Sequence, residues 1–317
     1  MSQLPERVVR FGEEASWGTP STTISALLYA LSFEGTSREV RGEEEIVATS
    51  RQARARSWLQ KEVTGSFEFK PVTPLIFYFA LGGITEDTQS PYTMSEYGTL
   101  SLPSFTIENI LRGTSNTIQS QYIGCKVDRL TMRITPKEDI RITVDFAAKD
   151  HLVPSYEWST IAPTSDQFTL SPFEYYEAKL YWGTSTISLL SLSLEANNNL
   201  EAVYTDDTVP TRIVEGYQEI SGALKPEESQ ISIFRDFLRS RSEGTIDIRF
   251  GDSRGTTDIY LYKVALDEYV DRTRGRDMYE VEFPFKARAS GPARYDSATI
   301  SFESLVTGYG EKANLRL

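Results

Sequence analysis

Apolar and polar residues alternate in segment after segment of the chain, and this restricts its fold more than any other feature. Ile140-Arg141-Ile142-Thr143-Val144-Asp145-Phe146 alternates strictly, as does Tyr279-Glu280-Val281-Glu282-Phe283, and 63–70 reads Val-Thr-Gly-Ser-Phe-Glu-Phe-Lys. A period of two puts apolar side chains on one face of a pleated strand, the pattern of a sheet with one buried face. Further strands are expected over 28–34, 105–108, 122–135, 187–195, 218–225, 245–250 and 259–266, where Thr, Val, Ile, Tyr and Phe recur. Helical spacing occurs twice. Segment 74–81 opens with Pro and stops at Gly82-Gly83. Segment 226–240 opens with Pro226-Glu227-Glu228, carries Ile231, Phe234 and Leu238 on one face, and closes in Arg239 and Arg241. The expectation is a mainly β chain with short flanking helices.

These elements recur in the same order. Leu31-Ser32-Phe33-Glu34 returns as Leu192-Ser193-Leu194-Glu195, and Val63-Thr64-Gly65-Ser66 as Ile220-Ser221-Gly222-Ala223. Each of the latter pair is followed by a Lys-Pro step (Lys70-Pro71, Lys225-Pro226) and then by a helix. A tandem duplication is expected. It divides the chain into a first β unit over 1–153, with an N-terminal arm and a long polar loop at 36–61, and a second β unit over 173–289. Between them 154–172, with Pro154, Pro163 and Pro172, reads as a connector, and 290–317 as a C-terminal extension. The first loop carries Glu43, Glu44 and Glu45, then Arg51, Arg54 and Arg56, and its counterpart at 196–211 is acidic at Asp206-Asp207. Loops of this length usually act on, or order against, a partner.

The chemistry of a catalyst is sparse. With 317 residues the chain can bury a core without disulfides, and its single cysteine, Cys125, excludes both a disulfide framework and a cysteine metal cluster. Cys125 lies in the apolar-flanked run Ile123-Gly124-Cys125-Lys126-Val127 and reads as a small buried hydrophobe. The single histidine, His151, reads as an exposed loop residue. There is no phosphate loop, no Gly-x-Ser-x-Gly elbow and no His-Glu-x-x-His, and the acidic pairs read as solvated faces. No catalytic residue, metal or cofactor is expected. Against 33 Lys+Arg stand 45 Asp+Glu, a formal charge of −12, which argues against gripping nucleic acid by its phosphates. The first residues show no basic stretch followed by an apolar run, so no export signal is expected. The longest apolar run, 75–81, is far short of the roughly 18 residues that span a bilayer.

Opposite their apolar faces the strands present Glu68, Arg141, Asp145, Glu219, Glu280 and Glu282. Such residues either face bulk water or line an aqueous channel built from several copies of the chain.

Four stretches resemble tail tube proteins of long-tailed bacterial and archaeal viruses. Phe11-Gly12-Glu13-Glu14-Ala15-Ser16-Trp17-Gly18-Thr19-Pro20 is similar to that family's E-x-x-W/Y-G-T opening. Val63-Thr64-Gly65-Ser66-Phe67-Glu68 resembles the strand that precedes its short helix, Leu102-Pro103-Ser104-Phe105-Thr106-Ile107-Glu108 its P-S-F-T strand, and Tyr122-Ile123-Gly124-Cys125-Lys126-Val127-Asp128-Arg129-Leu130 its Y-x-G-C strand. The resemblance covers roughly the first half, and the internal repeat extends it to the second. It implies a β-sandwich or barrel domain of the tail-tube type, duplicated in tandem. Neighbouring subunits would join strands into a ring, and rings would stack into a hollow tail tube in the virion, assembled in the host cytoplasm. Implied partners are further copies of the chain, the tape measure protein and the tail terminator and tip proteins, with viral DNA passing through unbound and no membrane involved. A two-unit subunit implies a trimeric ring of pseudo-sixfold symmetry, with a hexamer as the alternative. The carboxylates and Arg141 of the polar faces become lumen candidates, and the Glu and Arg residues of 36–61 candidates for ring stacking. An electronegative lumen would repel phosphates.

Two other readings remain at this point. One is a baseplate hub or distal tail protein that forms a single ring. The other is a carbohydrate-binding β-sandwich with Trp17, Trp58, Trp158 and Trp182 as stacking platforms.

Overall fold

The computed structural model describes residues 6–21, 26–27, 29–41, 58–71, 76–87, 92–98, 101–112, 117–153, 178–252, 255–274, 278–288 and 298–304. In the first half these form β1 (Glu6–Glu13), β2 (Ala26–Leu27), β3 (Tyr29–Arg41), β4 (Trp58–Lys70), α1 (Ile76–Leu81), β5 (Gly82–Asp87), β6 (Tyr92–Gly98), β7 (Phe105–Arg112), β8 (Thr117–Ile134), β9 (Arg141–Ala148) and β10 (Asp150–Leu152). In the second half they form β11 (Lys179–Trp182), β12 (Ser185–Ile187), β13 (Leu189–Asn197), β14 (Glu201–Val203), β15 (Arg212–Val214), β16 (Glu219–Pro226), α2 (Ile231–Ser240), β17 (Gly244–Asp252), β18 (Gly255–Leu266), β19 (Val270–Arg274), β20 (Met278–Ala287) and β21 (Ala298–Ser304). Every strand expected from alternation is present, and so are both helices.

Two layers share the long strand β8. Its first part pairs with β7 and β10, and β7 pairs in turn with β1 and β1 with β2. Its second part pairs with β9, which leads through β4 to β3. On its other side the same part of β8 meets β13, from which the layer continues through β16 to β20, and β20 is flanked by β18 and β19. One antiparallel layer therefore runs β3-β4-β9-β8-β13-β16-β20-β19, crossing from the first half to the second without a break. The opposite layer of the second half runs β12-β11-β17-β18-β21-β6-β5. The buried side of these layers holds Phe67, Phe69, Phe105 and Phe146 in one half and Trp182, Phe234, Phe283 and Phe285 in the other, with α1 wholly buried and α2 contributing Ile231 and Phe234.

The pairing repeats residue by residue. Gly65 stands opposite Phe146 as Gly222 stands opposite Phe285. Glu108, opposite Gln121, corresponds to Asp247, opposite Tyr260, and β7–β8 and β17–β18 each shift register just before these pairs. Gly124 and Lys263 occupy equivalent places and both have positive φ, 63° and 42°. The interruption at 267–269 that separates β18 from β19 falls where β8 carries its register shift, between Val127 and Arg129. The strand register also refines the sequence match. It equates Phe33 with Leu192, because these stand opposite the equivalent residues Phe67 and Leu224, so Leu-Ser-Phe-Glu and Leu-Ser-Leu-Glu are displaced by two residues. An even displacement leaves every side chain on its proper face, so the sequence pattern is blind to it.

Three expectations change. The loop set at 36–61 is shorter, because 36–41 belong to β3 and 58–61 to β4. Residues 36–39 are exposed on both faces, so they lack the alternation that signals a strand. His151 is not a loop residue: it lies in β10, paired opposite Tyr122 and stacked on its ring at 4.7 Å. The segment read as a C-terminal extension contributes β21, which joins β18 of the second half to β6 of the first. The remainder of the first loop, the connector 154–172 and residues 305–317 lie outside the described residues.

Gly65 and Gly222 generate a direct test. A Cβ on Gly65 would strike the Phe146 ring and the Glu34 carbonyl, and one on Gly222 the Phe285 ring and the Ser193 carbonyl. Because backbone stands among the obstacles, relaxation is limited. Gly65→Ala and Gly222→Ala should each destabilise the fold by about 1–3 kcal/mol, measured by urea-induced unfolding. Equal loss at the two positions would be the energetic counterpart of the repeat.

Candidate assembly surface

The opening motif closes the first half around one carboxylate. Glu14, 7% exposed, accepts hydrogen bonds from the Ser104 hydroxyl (2.8 Å), the Thr106 hydroxyl (2.9 Å), the Gly124 N–H (2.7 Å) and the Gly18 N–H (2.8 Å). Three of the stretches singled out in the sequence therefore meet at one residue. Trp17 donates its indole N–H to the Gly124 carbonyl (2.9 Å), and the Lys149 ammonium lies 4.9 Å from the centre of its ring. A Cβ at Gly124 would meet both Trp17 and Lys149, so glycine is required there on contact as well as on φ. Next to this knot Glu108 is fully buried, held by Arg10 (Nε 3.0 Å, Nη2 2.5 Å) and by Gln121 (2.8 Å). These are structural contacts that set the angle at which the N-terminal strand enters the sheet.

The second half clasps the first. Asn198, buried, donates to the carbonyls of Ala80 (3.0 Å) and Val127 (2.9 Å). Lys126 pairs with Glu215 at 2.5 Å, and the Leu200 N–H donates to Asp128 Oδ1 at 2.9 Å. The turn beyond β14 reaches β4: Tyr204 donates to the Lys61 carbonyl (3.1 Å) and the Lys61 N–H to the Thr208 carbonyl (2.6 Å). The loop over 196–211 thus orders against the preceding half of its own chain.

The polar face of the β3-to-β19 layer is a charge lattice. Glu68 pairs with Arg141 (3.4 Å), Glu195 with Arg129 (3.5 Å), Glu219 with Lys286 (2.5 Å) and Glu282 with Lys225 (3.7 Å). Asp145 stands in register between Ser66 and Arg129, and Glu280 opposite Arg272. Alternation from sequence does bring Glu68, Arg141, Asp145, Glu219 and Glu282 to one face, and Glu280 precedes Glu282 by two residues on β20. The face is nevertheless not electronegative, because neighbouring strands set bases beside the acids, a cross-strand relation that reading one strand at a time misses. The stacking candidates Glu43, Glu44, Glu45, Arg51, Arg54 and Arg56 lie outside the described residues.

The layer has two unpaired margins. Among the described residues β3 pairs only with β4, and β19 only with β20. Residues 34–39 of β3 are exposed, as are Glu268 and Tyr269 beside β19. Edges this long are normally blunted or covered. Sequence reasoning did not find Glu34, Arg38, Glu268 or Arg272, which occupy these margins, since only the pairing order shows which strands are outermost.

The remaining chemistry is structural. Burial is the main cause that pushes the Cys125 thiol well up, and the nearby Glu14 carboxylate adds to it, so the thiolate is suppressed. Trp182 is buried and packs edge-on against Phe234 and Phe237 (5.1 and 4.8 Å), so its ring is not free to stack on a sugar, and the Lys149 ammonium lies over the ring of Trp17. No described helix is long and apolar enough to cross a membrane.

The model of the family described as phage tail tube protein matches the chain over residues 6–303. Among curated proteins none matches.

Two measurements test this arrangement. Glu14→Ala strips four donors of their acceptor and should cost roughly 2–5 kcal/mol of stability in chemical denaturation. Partial burial, then the Lys61 charge, lower the pKa of His151 below its ordinary value of 6.5, the Asp150 charge opposing them. The unfolded chain then binds its proton first, so stability is complete above pH 6.5 and declines as pH falls from there towards the folded-state value. His151→Gln should remove that part of the decline, seen as a flatter dependence of melting temperature on pH.

Proposed function

The chain belongs to the phage tail tube protein family, a structural component of the virion tail, and we propose that it polymerises into stacked rings enclosing the channel through which viral DNA passes. The observation that carries this is the unbroken layer from β3 to β19, polar on one face, packed on the other and, among the described residues, unpaired at both margins. Long unpaired edges invite pairing with another chain unless they are blunted or covered, and copies arranged head to tail meet them by closing a ring. The reading treats 1–153 and 173–289 as two tube domains joined by 154–172, with 290–317 following. A chain that already supplies two consecutive domains closes a pseudo-sixfold ring from three copies.

In that ring the face bearing Glu68, Arg141, Asp145, Glu219, Glu280 and Glu282 lines the lumen. Its cations are largely tied to neighbouring carboxylates, and the chain carries a formal charge of −12, so passing phosphates meet few free positive charges. Glu43, Glu44, Glu45, Arg51, Arg54 and Arg56 are assigned to contacts between rings. The tape measure protein would occupy the lumen before DNA, and terminator and tip proteins would cap the ends.

Negative-stain electron microscopy of the purified protein over a concentration series tests the proposal. Long hollow tubes with threefold or pseudo-sixfold power in projection are expected. Rings that never stack would assign the chain to a hub or distal tail position instead, and a true sixfold ring of whole chains would overturn the trimer.

A further inference from the structure

The chain contains, inside itself, one copy of the junction that a ring would need between subunits. β8 of the first half meets β13 of the second with Asn197 opposite Arg129, Ala196 opposite Leu130, Glu195 opposite Thr131 and Ser193 opposite Arg133. The strand equivalences carry each partner to a free margin. Residues 192–197 of β13 correspond to 33–38 of β3, through the glycine pair Gly65 and Gly222. Residues 129–134 of β8 correspond to 268–273, through their shared register against β9 and β20. We infer that β3 of one copy pairs antiparallel with the β19 margin of a second copy in this same register, placing Arg38 opposite Glu268, Thr36 opposite Val270 and Glu34 opposite Arg272.

Charge complementarity supports this register independently of the repeat that suggested it. Both charged positions of β3 on the polar face fall opposite residues of the other sign. The alternation then continues inward on each side, since Arg38 already stands opposite Glu62 in β4, and Arg272 opposite Glu280 in β20. A shift of two residues one way would set Glu34 opposite Val270 and Arg38 level with Leu266, losing both pairs, and the other way would set Arg38 opposite Val270 and keep only Glu34 against Arg274. A shift of one would turn every side chain to the wrong face. Burial agrees as well. Leu130 is fully buried beneath the β8–β13 junction, whereas its counterpart Tyr269 is 44% exposed at the uncovered margin, where Ser37 of the second copy would cover it.

This inference rests on the ring-forming reading, and the test separates the two. In Thr36→Cys/Val270→Cys the new thiols face one another only across the inferred seam, while native Cys125 is buried and inert. Mild oxidation of assembled protein should give closed covalent trimers on a non-reducing gel, and neither single variant should cross-link. Separately, Arg38→Glu and Glu268→Arg should each abolish tube formation at the wild-type critical concentration while remaining folded by circular dichroism. The combined Arg38→Glu/Glu268→Arg chain, which restores opposite charges at every seam, should assemble again. Tubes of the Thr36→Cys/Val270→Cys chain that give no cross-link, or single charge variants that assemble normally, would overturn the register and leave the ring standing. A wild-type protein that forms neither rings nor tubes at any concentration would overturn both.

Discussion

The fold depends on one strand serving two sheets. β8 runs for 18 residues, and along its length it changes partners from β7 and β10 to β9 and β13. A flat strand cannot do this. The change is made at Gly124, where φ is 63°, and at the register shift that follows between Val127 and Arg129. The second half solves the same problem with Lys263 at φ 42° and a break at 267–269. Lysine serves there because its strained backbone carries an exposed side chain. Gly124 has no such freedom, since Trp17 and Lys149 fill the space a Cβ would need. The knot around Glu14 follows from that choice: it ties the N-terminal arm to the point where the strand turns.

Because β8 carries both layers, its outer flank is free to accept β13, and the two halves fuse into one sheet instead of packing face to face. Backbone hydrogen bonding then has direction. Each half offers two unlike margins, each with alternating N–H and C=O groups, and the chain has already joined one of each at the β8–β13 pairing. What is left is complementary by construction, and charged residues at the margins give the complementarity its register. Cross-strand ion pairs at exposed positions are individually small, typically below about 1 kcal/mol. Here they serve to choose among registers, while the energy of joining comes from the backbone ladder and the apolar residues beneath it.

The sequence was most legible where one face is buried. Every strand announced by alternation is present, and the Pro and Gly punctuation of 74–83 and the helical spacing of 226–240 mark both helices. It was least legible at the margins. The outer part of β3 is exposed on both faces over 34–39, so nothing in its composition distinguishes strand from loop. Strand β21 was hidden in what read as an extension, because its partners lie far away in the chain. Of the candidate site, alternation placed Glu68, Arg141, Asp145 and Glu219 on the polar side, but the bases that neutralise the acids belong to neighbouring strands and are visible only in the pairing.

By itself the sequence determined a mainly β chain, a repeated order of elements, the absence of familiar catalytic motifs and the resemblance that placed the chain in its family. These are properties of local periodicity and of short motifs, and both are written in consecutive residues. Only the tertiary structure decided that the two halves share a single layer, which strands are outermost, that Glu14 joins three distant motifs, and how the repeat is registered to the residue. Strand pairing couples residues far apart in the chain. A periodicity of two is unchanged by an even slip, so the register had to come from backbone hydrogen bonds and from the glycines that admit the facing rings.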